Sequence, residues 1–266
     1  MTIGEQRDRR RVSGMAISAL VFAVLLVLLG MAVLLSLRHS LRPAHHQTQS
    51  ASYGGVTAIA SHVDRADLTV RPGSGKAVTI RRTLAWSQNR PRVAVTQRGG
   101  TLSVDASCPS EAGFPVCHIA LTVTVPKTMP LSLDTESGDV TVTGLTGPLK
   151  THTVSGDITL RDLSGVLDLH ADSGNVTATH LRSRTVRSVA SSGDTTLGFA
   201  TAPDSVRATA SSGDIAVQVP LGPDYAISSQ VSSGDKHIDV PNTTGAAHQI
   251  SLVASSGDLR VDYASD

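Results

Sequence analysis

Three polar side chains occupy one position of a repeated pattern and together have the chemistry of a metal site. Asp134, His152 and His170 each stand four residues before a glycine of the pattern. Imidazole nitrogens and carboxylate oxygens are ligands of Zn²⁺ and related divalent ions. We expect a solvated polar face here rather than a metal centre, because a flat exposed sheet provides poor tetrahedral geometry and no second shell of hydrogen bonds.

A second set of polar groups directly follows the same glycines. It comprises six aspartates and one asparagine: Asp139, Asp157, Asn175, Asp194, Asp214, Asp235 and Asp258. If the repeats stack, these side chains form a column at about 4.8 Å spacing, whose repulsion a row of Ca²⁺ ions would relieve. Calcium-binding β-rolls carry several Gly and Asp in each nonapeptide turn. This chain has one acidic position in a much longer repeat, so we interpret these residues as turn caps and keep calcium binding as an alternative.

No set of residues in the sequence has the arrangement of a catalytic site. A polysaccharide-cleaving enzyme needs an acid and a base placed around a groove, and no repeat departs from the pattern to supply them. Trp86 is the only tryptophan, so an aromatic platform for sugars is not evident, and no nucleophile elbow is present. We predict no catalytic residues and no cofactor, with a carbohydrate-active enzyme as the alternative.

The elements that position these side chains follow from a Ser-Gly-Asp/Asn motif that occurs seven times. Successive glycines are 18 to 23 residues apart, and they are Gly138, Gly156, Gly174, Gly193, Gly213, Gly234 and Gly257. The residues seven, five and three before each glycine are apolar or small, and mostly polar residues separate them. This alternation indicates a strand with one buried face, and it resumes after the motif. Each repeat therefore predicts a strand, a corner whose glycine permits a positive φ, a second strand and a loop.

The recurring register favours a β-solenoid over a stack of hairpins. Every repeat has the same inward and outward positions, so each coil can lie on the next with equivalent side chains in columns. Seven coils at about 4.8 Å give a rod roughly 30 Å tall. Residues 56–126 alternate less regularly and lack the corner motif. We expect them to form irregular coils that cap one end, and we expect Leu259–Tyr263 to be the exposed coil at the other end.

The N-terminal region has the signals of a membrane anchor. Residues 15–37 are 23 residues without a charge, and such a helix is about 34 Å long, enough to span a bilayer. Four arginines precede this segment and two follow it, which favours a cytoplasmic N-terminus and an extracellular C-terminal domain. A cleaved signal peptide is the alternative. The predicted organisation is a basic cytoplasmic stub at 1–14, a transmembrane helix at 15–37, a flexible tether at 38–55, the cap at 56–126, the regular coils at 127–263 and a tail at 264–266.

The cysteines and the net charge agree with an extracellular location. Cys108 and Cys117 are the only two cysteines, and in an exported chain such a close pair most often forms a disulfide. A reactive or metal-binding pair is the alternative. The formal net charge of +1 argues against a nucleic-acid partner, which would require a basic stripe.

The sequence also resembles a known family. Residues 125–140, Val-Pro-Lys-Thr-Met-Pro-Leu-Ser-Leu-Asp-Thr-Glu-Ser-Gly-Asp-Val, and the repeated corners after them resemble the bacterial DUF4097 family of adhesin-like domains. The resemblance covers about residues 56–263. It implies an all-β, right-handed β-solenoid on the cell surface, with no defined activity, and related domains are linked to envelope-stress signalling. Together with the anchor it predicts a non-catalytic, single-pass membrane protein for adhesin-like binding, scaffolding or stress sensing, with an envelope protein or a cell-wall component as partner.

Overall fold

The computed structural model describes residues 27, 29–31, 45–109 and 116–264. The chain divides into two units, residues 1–44 and 45–266. In the first unit, residues 27 and 29–31 are helical and exposed. The rest of the predicted transmembrane segment lies outside the described residues, as do the predicted stub 1–14 and residues 38–44 of the tether. Within the described part of the chain, no helix is both long enough and apolar enough to cross a bilayer.

In the second unit, the described residues form 21 strands in two sheets, numbered here in chain order. In spatial order, the eleven-stranded sheet contains β1 (His45–Tyr53), β4 (Val78–Trp86), β7 (Cys117–Val125), β3 (Ala66–Pro72), β9 (Val140–Thr143), β11 (Ile158–Arg161), β13 (Val176–Leu181), β15 (Thr195–Phe199), β17 (Ile215–Val219), β21 (Leu259–Tyr263) and β19 (Lys236–Ile238). The ten-stranded sheet contains β18 (Tyr225–Ser233), β20 (His248–Ser256), β16 (Ser205–Ser212), β14 (Thr185–Ser192), β12 (Leu167–Ser173), β10 (Leu149–Ser155), β8 (Leu131–Ser137), β2 (Ala58–Val63), β6 (Thr101–Ser107) and β5 (Arg92–Arg98). The predicted all-β class is confirmed.

Each repeat contributes one strand to each sheet, with the Ser-Gly-Asp corner between them. β8 and β9 form one such coil, and β10 and β11 form the next. Successive coils pair in parallel and in register: Leu149 lies between Leu131 and Leu167, and Ile158 is paired with Val140 in the other sheet. Equivalent side chains therefore form columns, and the predicted solenoid-like stacking of the repeats is confirmed.

A narrow apolar core fills the space between the two sheets. Its columns consist mainly of Val, Leu, Ile and Ala, and residues such as Ile158 and Leu169 are completely buried. These small and branched side chains fill most of the gap, and Phe199 and Tyr225 are the aromatic residues that are buried within the described part of the chain. Thr151 and Thr153 also face this core, and their hydroxyl oxygens are buried without a hydrogen-bond partner. The two threonine side chains fit the core by shape, and burying their hydroxyl groups without a partner costs free energy of desolvation.

The order of the last two coils corrects the prediction that Leu259–Tyr263 forms the exposed end coil. β20 and β21 lie between the coil of β16 and β17 and the coil of β18 and β19, so the exposed end coil comprises residues 225–238. Leu259–Tyr263 is an interior strand in which Leu259 is 1% exposed. Lys236 explains this order, because it pairs with Leu259 at a position that faces the core in the other coils. A lysine cannot be buried there without a partner, and only the end coil leaves Lys236 exposed.

Antiparallel strands close the opposite end, and one of them occupies part of the segment that was predicted to be a flexible tether. β1 pairs antiparallel with β4, and β4 with β7, while β5 pairs antiparallel with β6 in the other sheet. Residues 45–53, predicted to be part of a flexible tether, are thus an edge strand. Its side chains are polar on both faces, so no apolar alternation marks it. Backbone pairing holds it, together with hydroxyl contacts such as Ser52 to Thr79 at 3.0 Å.

Candidate functional site

The corner glycines are required by both backbone conformation and stacking. All seven have φ between 128° and 148°, a region that residues with a Cβ rarely adopt. A Cβ on Gly193 would overlap the carbonyl oxygen of Gly174 in the coil below and lie 2.7 Å from its carbonyl carbon. The Gly193 amide in turn donates to the Ser212 carbonyl of the coil above at 3.0 Å. The corners therefore stack backbone on backbone, with no room for a side chain.

The corner aspartates link one coil to the next. Each of them except Asp235, and Asn175 likewise, accepts through Oδ1 a hydrogen bond from the backbone N–H of the next corner residue. Along the stack these bonds join Asp139 to Asp157, Asp157 to Asn175, Asn175 to Asp194, Asp194 to Asp214, Asp214 to Asp258 and Asp258 to Asp235, with N···O distances of 2.7 to 2.9 Å. The bonds engage one oxygen of every carboxylate in the series except the last. This geometry supports the turn-cap interpretation, although the cap acts on the neighbouring coil and not on its own.

Sequence reasoning missed an eighth member of this series. Asp67 Oδ1 lies 3.3 Å from the backbone nitrogen of Asp139 and extends the series by one coil. Ala66 takes the place of the corner glycine, so the motif is not recognisable. The signal that would have revealed it is the strand that follows, because Asp67-Leu-Thr-Val matches Asp139-Val-Thr-Val.

The three predicted metal-ligand candidates are brought together on the outer face of the ten-stranded sheet. His152 is paired with Asp134 on one side and with His170 on the other. His152 Nδ1 lies 3.1 Å from Asp134 Oδ1, and the two imidazole rings are 4.9 Å apart, edge to face. We call the surrounding surface the histidine face; it consists of His62, Asp134, Glu136, His152, His170 and Asp172.

Asp172 is the member of the histidine face that sequence reasoning missed. Its carboxylate lies between the two imidazoles, with Oδ1 3.0 Å from His170 Nε2 and Oδ2 3.4 Å from His152 Nε2. A hydrogen bond from His170 holds the pKa of Asp172 below its usual value, and the adjacent His152 ring lowers it further. The signal was available, because residues two apart on a strand share a face. All three side chains are about 40% exposed.

The rest of the histidine face is more loosely arranged. His62 Nδ1 is 3.7 Å from Asp134 Oδ2, and His62 Nε2 is 3.8 Å from Glu136. A depression of about 680 Å³ next to them is lined by Asp134, Lys150, Thr151, His152, Asp168, His170, Arg187 and Val189. Its floor is a flat sheet, and Arg187 is paired with Asp168 at 3.7 Å. This arrangement can bind ions or polar groups, and it has no deep groove that would enclose a polymer.

Cys108 and Cys117 form a disulfide, with their Cα atoms 6.1 Å apart. Cys108 directly follows β6 in the ten-stranded sheet, and Cys117 begins β7 in the eleven-stranded sheet. The disulfide thus joins the two sheets at the place where the other coils have the Ser-Gly-Asp corner. It substitutes a covalent link for the hydrogen-bonded corner in this coil.

The chain is similar to a known family and to several solved structures. The sequence profile of the Toastrack DUF4097 family matches residues 56–197 and again residues 120–264. Among solved structures, the chain is similar to a candidate adhesin from Bacteroides fragilis, with 16% identity, a TM-score of 0.47, and coverage of 82% of this chain and 97% of that one. It is also similar to a candidate cell adhesion protein from Clostridium sporogenes, with 11% identity, a TM-score of 0.35, and coverage of 83% and 100%. No curated protein matches the sequence.

Proposed function

Because the chain belongs to the Toastrack DUF4097 family, we propose that it is a non-catalytic surface module that binds or scaffolds components of the bacterial envelope. In this proposal residues 15–37 anchor it as a single transmembrane helix, and the right-handed solenoid lies outside the cell. The observation that carries the proposal is the unbroken series of corners. The motif residues hold successive coils together, which supports a scaffolding role over a catalytic one.

A column of threonines on the outer face of the eleven-stranded sheet is the surface best suited to a polar polymer. In spatial order it consists of Thr122, Thr69, Thr141, Thr159, Thr177 and Thr196, paired across six adjacent parallel strands. All six side chains are at least partly exposed. Each hydroxyl can donate and accept a hydrogen bond, and the regular strand spacing of about 4.8 Å holds them in line. We infer that this threonine column contacts a cell-wall glycan.

Cosedimentation tests the binding role. The full-length chain, purified in mild detergent, should pellet with purified cell-wall sacculi. A double variant, Thr159→Lys with Thr177→Lys, should reduce the pelleted fraction several-fold, because two cations disrupt the column. The matched control places lysines on the opposite sheet, as Ser132→Lys with Ser228→Lys, where both residues are also exposed, and should pellet like the unmodified chain. Equal loss in both variants would refute the threonine column, and release of soluble glycan fragments would refute the non-catalytic assignment.

Protease treatment of intact cells tests the location. The solenoid should be degraded by protease added outside the cells, and the protein should be found in the membrane fraction. Deletion of residues 15–37 should remove it from that fraction. A chain that stays protected until the cells are lysed, or that stays with the membrane after the deletion, would contradict the proposed anchor and topology.

A further inference from the structure

The histidine face has an unbalanced hydrogen-bonding arrangement around His152. Both ring nitrogens face carboxylates, Nδ1 toward Asp134 at 3.1 Å and Nε2 toward Asp172 at 3.4 Å. A neutral imidazole has a single N–H, so it can donate to one of these carboxylates only. The shorter contact assigns the proton to Nδ1, and the Nε2 lone pair then points at an oxygen of Asp172. Two acceptors that face each other are satisfied by a cation between them, either a metal ion or a second proton on the ring.

The atoms around this point have the separations of a metal's ligands. One ring nitrogen of His152, one of His170 and a carboxylate oxygen of Asp172 lie within 4.8 Å of one another. His170 Nε2 is 3.0 Å from Oδ1 of Asp172, and His152 Nε2 is 3.4 Å from Oδ2. Tetrahedral zinc with bonds of about 2.0–2.1 Å separates its ligand atoms by about 3.4 Å. Only a small movement of side chains is needed to reach that geometry.

The sequence produces this arrangement through the solenoid register. His152 and His170 are direct neighbours on adjacent parallel strands, so their side chains point outward side by side. Asp172 lies on the same face two residues after His170. Because the backbone of a parallel sheet holds all three positions, binding a metal would require little ordering of the protein.

Asp134 supplies the second shell that a flat sheet was expected to lack. A carboxylate that accepts from the non-ligating nitrogen of a histidine fixes its tautomer and orients its ring, as is usual for histidines that bind metals. Asp134 has this relationship to His152. With neutral imidazoles, the two carboxylates leave the group with two negative charges, which suits a divalent cation.

We propose that His152, His170 and Asp172 bind a divalent transition-metal ion such as Zn²⁺, and that Asp134 positions His152 for it. The remaining coordination positions are open to solvent, so a polar group of a partner can reach the ion.

A second cluster in the described part of the chain lacks this arrangement. His237, Asp239 and Asp262 also lie within reach of a common point. However, Arg260 donates to Asp262, and His237 Nε2 is paired with Asp239 at 2.8 Å. The guanidinium of Arg260 therefore already supplies positive charge to this cluster. The cluster serves as an internal control.

Calorimetric titration of the full-length chain with ZnCl₂ at pH 7 tests the proposal. His45 and His46 are first replaced by glutamine, so that these exposed histidines of β1 do not contribute to the titration. The chain should then bind one Zn²⁺ per molecule with micromolar or tighter affinity. His170→Gln and Asp172→Asn should each weaken binding at least 100-fold. His237→Gln should leave it unchanged, because that residue lies in the other cluster.

The variant Asp134→Asn tests whether Asp134 positions His152 without binding the metal ion itself. It should weaken zinc binding by about 10- to 100-fold while the melting temperature without metal stays the same. His62→Gln, which changes a neighbour on the other oxygen of Asp134, should retain binding within a few-fold. Affinity should also fall as the pH is lowered, because protons compete with the metal ion for the ligand atoms. Glu136, Lys150, Asp168 and Arg187 also border this surface and contribute to that profile.

Three results would overturn the proposal. The first is no binding tighter than millimolar at pH 7. The second is zinc binding that persists in His170→Gln and Asp172→Asn, since the ion would then lie elsewhere. The third is a loss of binding in His237→Gln equal to that in His170→Gln. Far-UV circular dichroism of every variant verifies that the strands are intact, and the exposed positions of these side chains make unfolding an unexpected outcome.

Discussion

Replacing the corner glycine Gly193 with alanine should destabilise the solenoid through two separable effects. The first is backbone strain, because φ at this residue is 132°, and a non-glycine residue in such a region costs about 1–3 kcal/mol. The second is the overlap of the new Cβ with the Gly174 carbonyl. Relieving that overlap moves the two coils apart and lengthens the bonds between them, from Gly174 to Ser192 and from Asp194 to Asn175, now 3.0 and 2.9 Å. At about 1 kcal/mol for each bond, the total loss is about 3–5 kcal/mol.

Gly222 is the matched control for this experiment. It has a φ of 117°, and a Cβ built there meets nothing within 4 Å. Gly222→Ala therefore carries the strain without the overlap, and should cost only about 1–3 kcal/mol. Both variants of the full-length chain are unfolded in urea and followed by far-UV circular dichroism. Equal losses for Gly193→Ala and Gly222→Ala would refute the argument that the corners exclude side chains by direct stacking of backbones.

Three further predictions follow from other contacts. Asp194→Ala removes the acceptor for the Asp214 amide, 2.8 Å away, and should cost about 1 kcal/mol in urea unfolding, whereas Asp194→Asn should be nearly neutral. The lowered pKa of Asp172 contributes stability that is present above the unfolded value near 3.9 and is lost as the pH falls through the lower native value. Unfolding midpoints between pH 5 and 2 should therefore decline less steeply in Asp172→Asn, and parallel declines would contradict this. Reduction of the Cys108–Cys117 disulfide should lower the stability by about 2–3 kcal/mol with little change in the native circular dichroism; complete unfolding on reduction would contradict a local role.

The regular part of the fold was predictable because one corner motif occurs seven times and each copy requires the same local structure. The corner glycine and the alternation around it define strand, corner and strand, and identical register in successive repeats leads to columns such as Asp134, His152 and His170. The columns identify which residues lie near each other. They do not specify how side chains turn, so the roles of Asp134 and Asp172 at His152 became apparent only from interatomic distances.

Two other features, the edge strand β1 and the order of the last two coils, were not predictable from the alternation of apolar and polar residues. β1 has polar residues on both faces, and an edge strand held by its backbone carries no hydrophobic signal. The exchange of the last two coils was indicated by individual residues that break the pattern. Lys236, paired with Leu259, places a charge at a position that is apolar or threonine in the other coils. An averaged repeat conceals such exceptions, although they decide which coil can lie at the open end.

The exchanged order of the last coils has a consequence for how the chain is made. β18 and β19 leave the ribosome before β20 and β21, yet their neighbours within the sheets are those later strands. In a linear repeat protein each unit is stabilised by its nearest neighbours, so this coil has nothing to dock on until the following segment is synthesised. The coil of β20 and β21 must therefore dock on β16 and β17 before the coil of β18 and β19 can reach its final place. A chain cut after residue 247 would lose the earlier coil as well as the missing one.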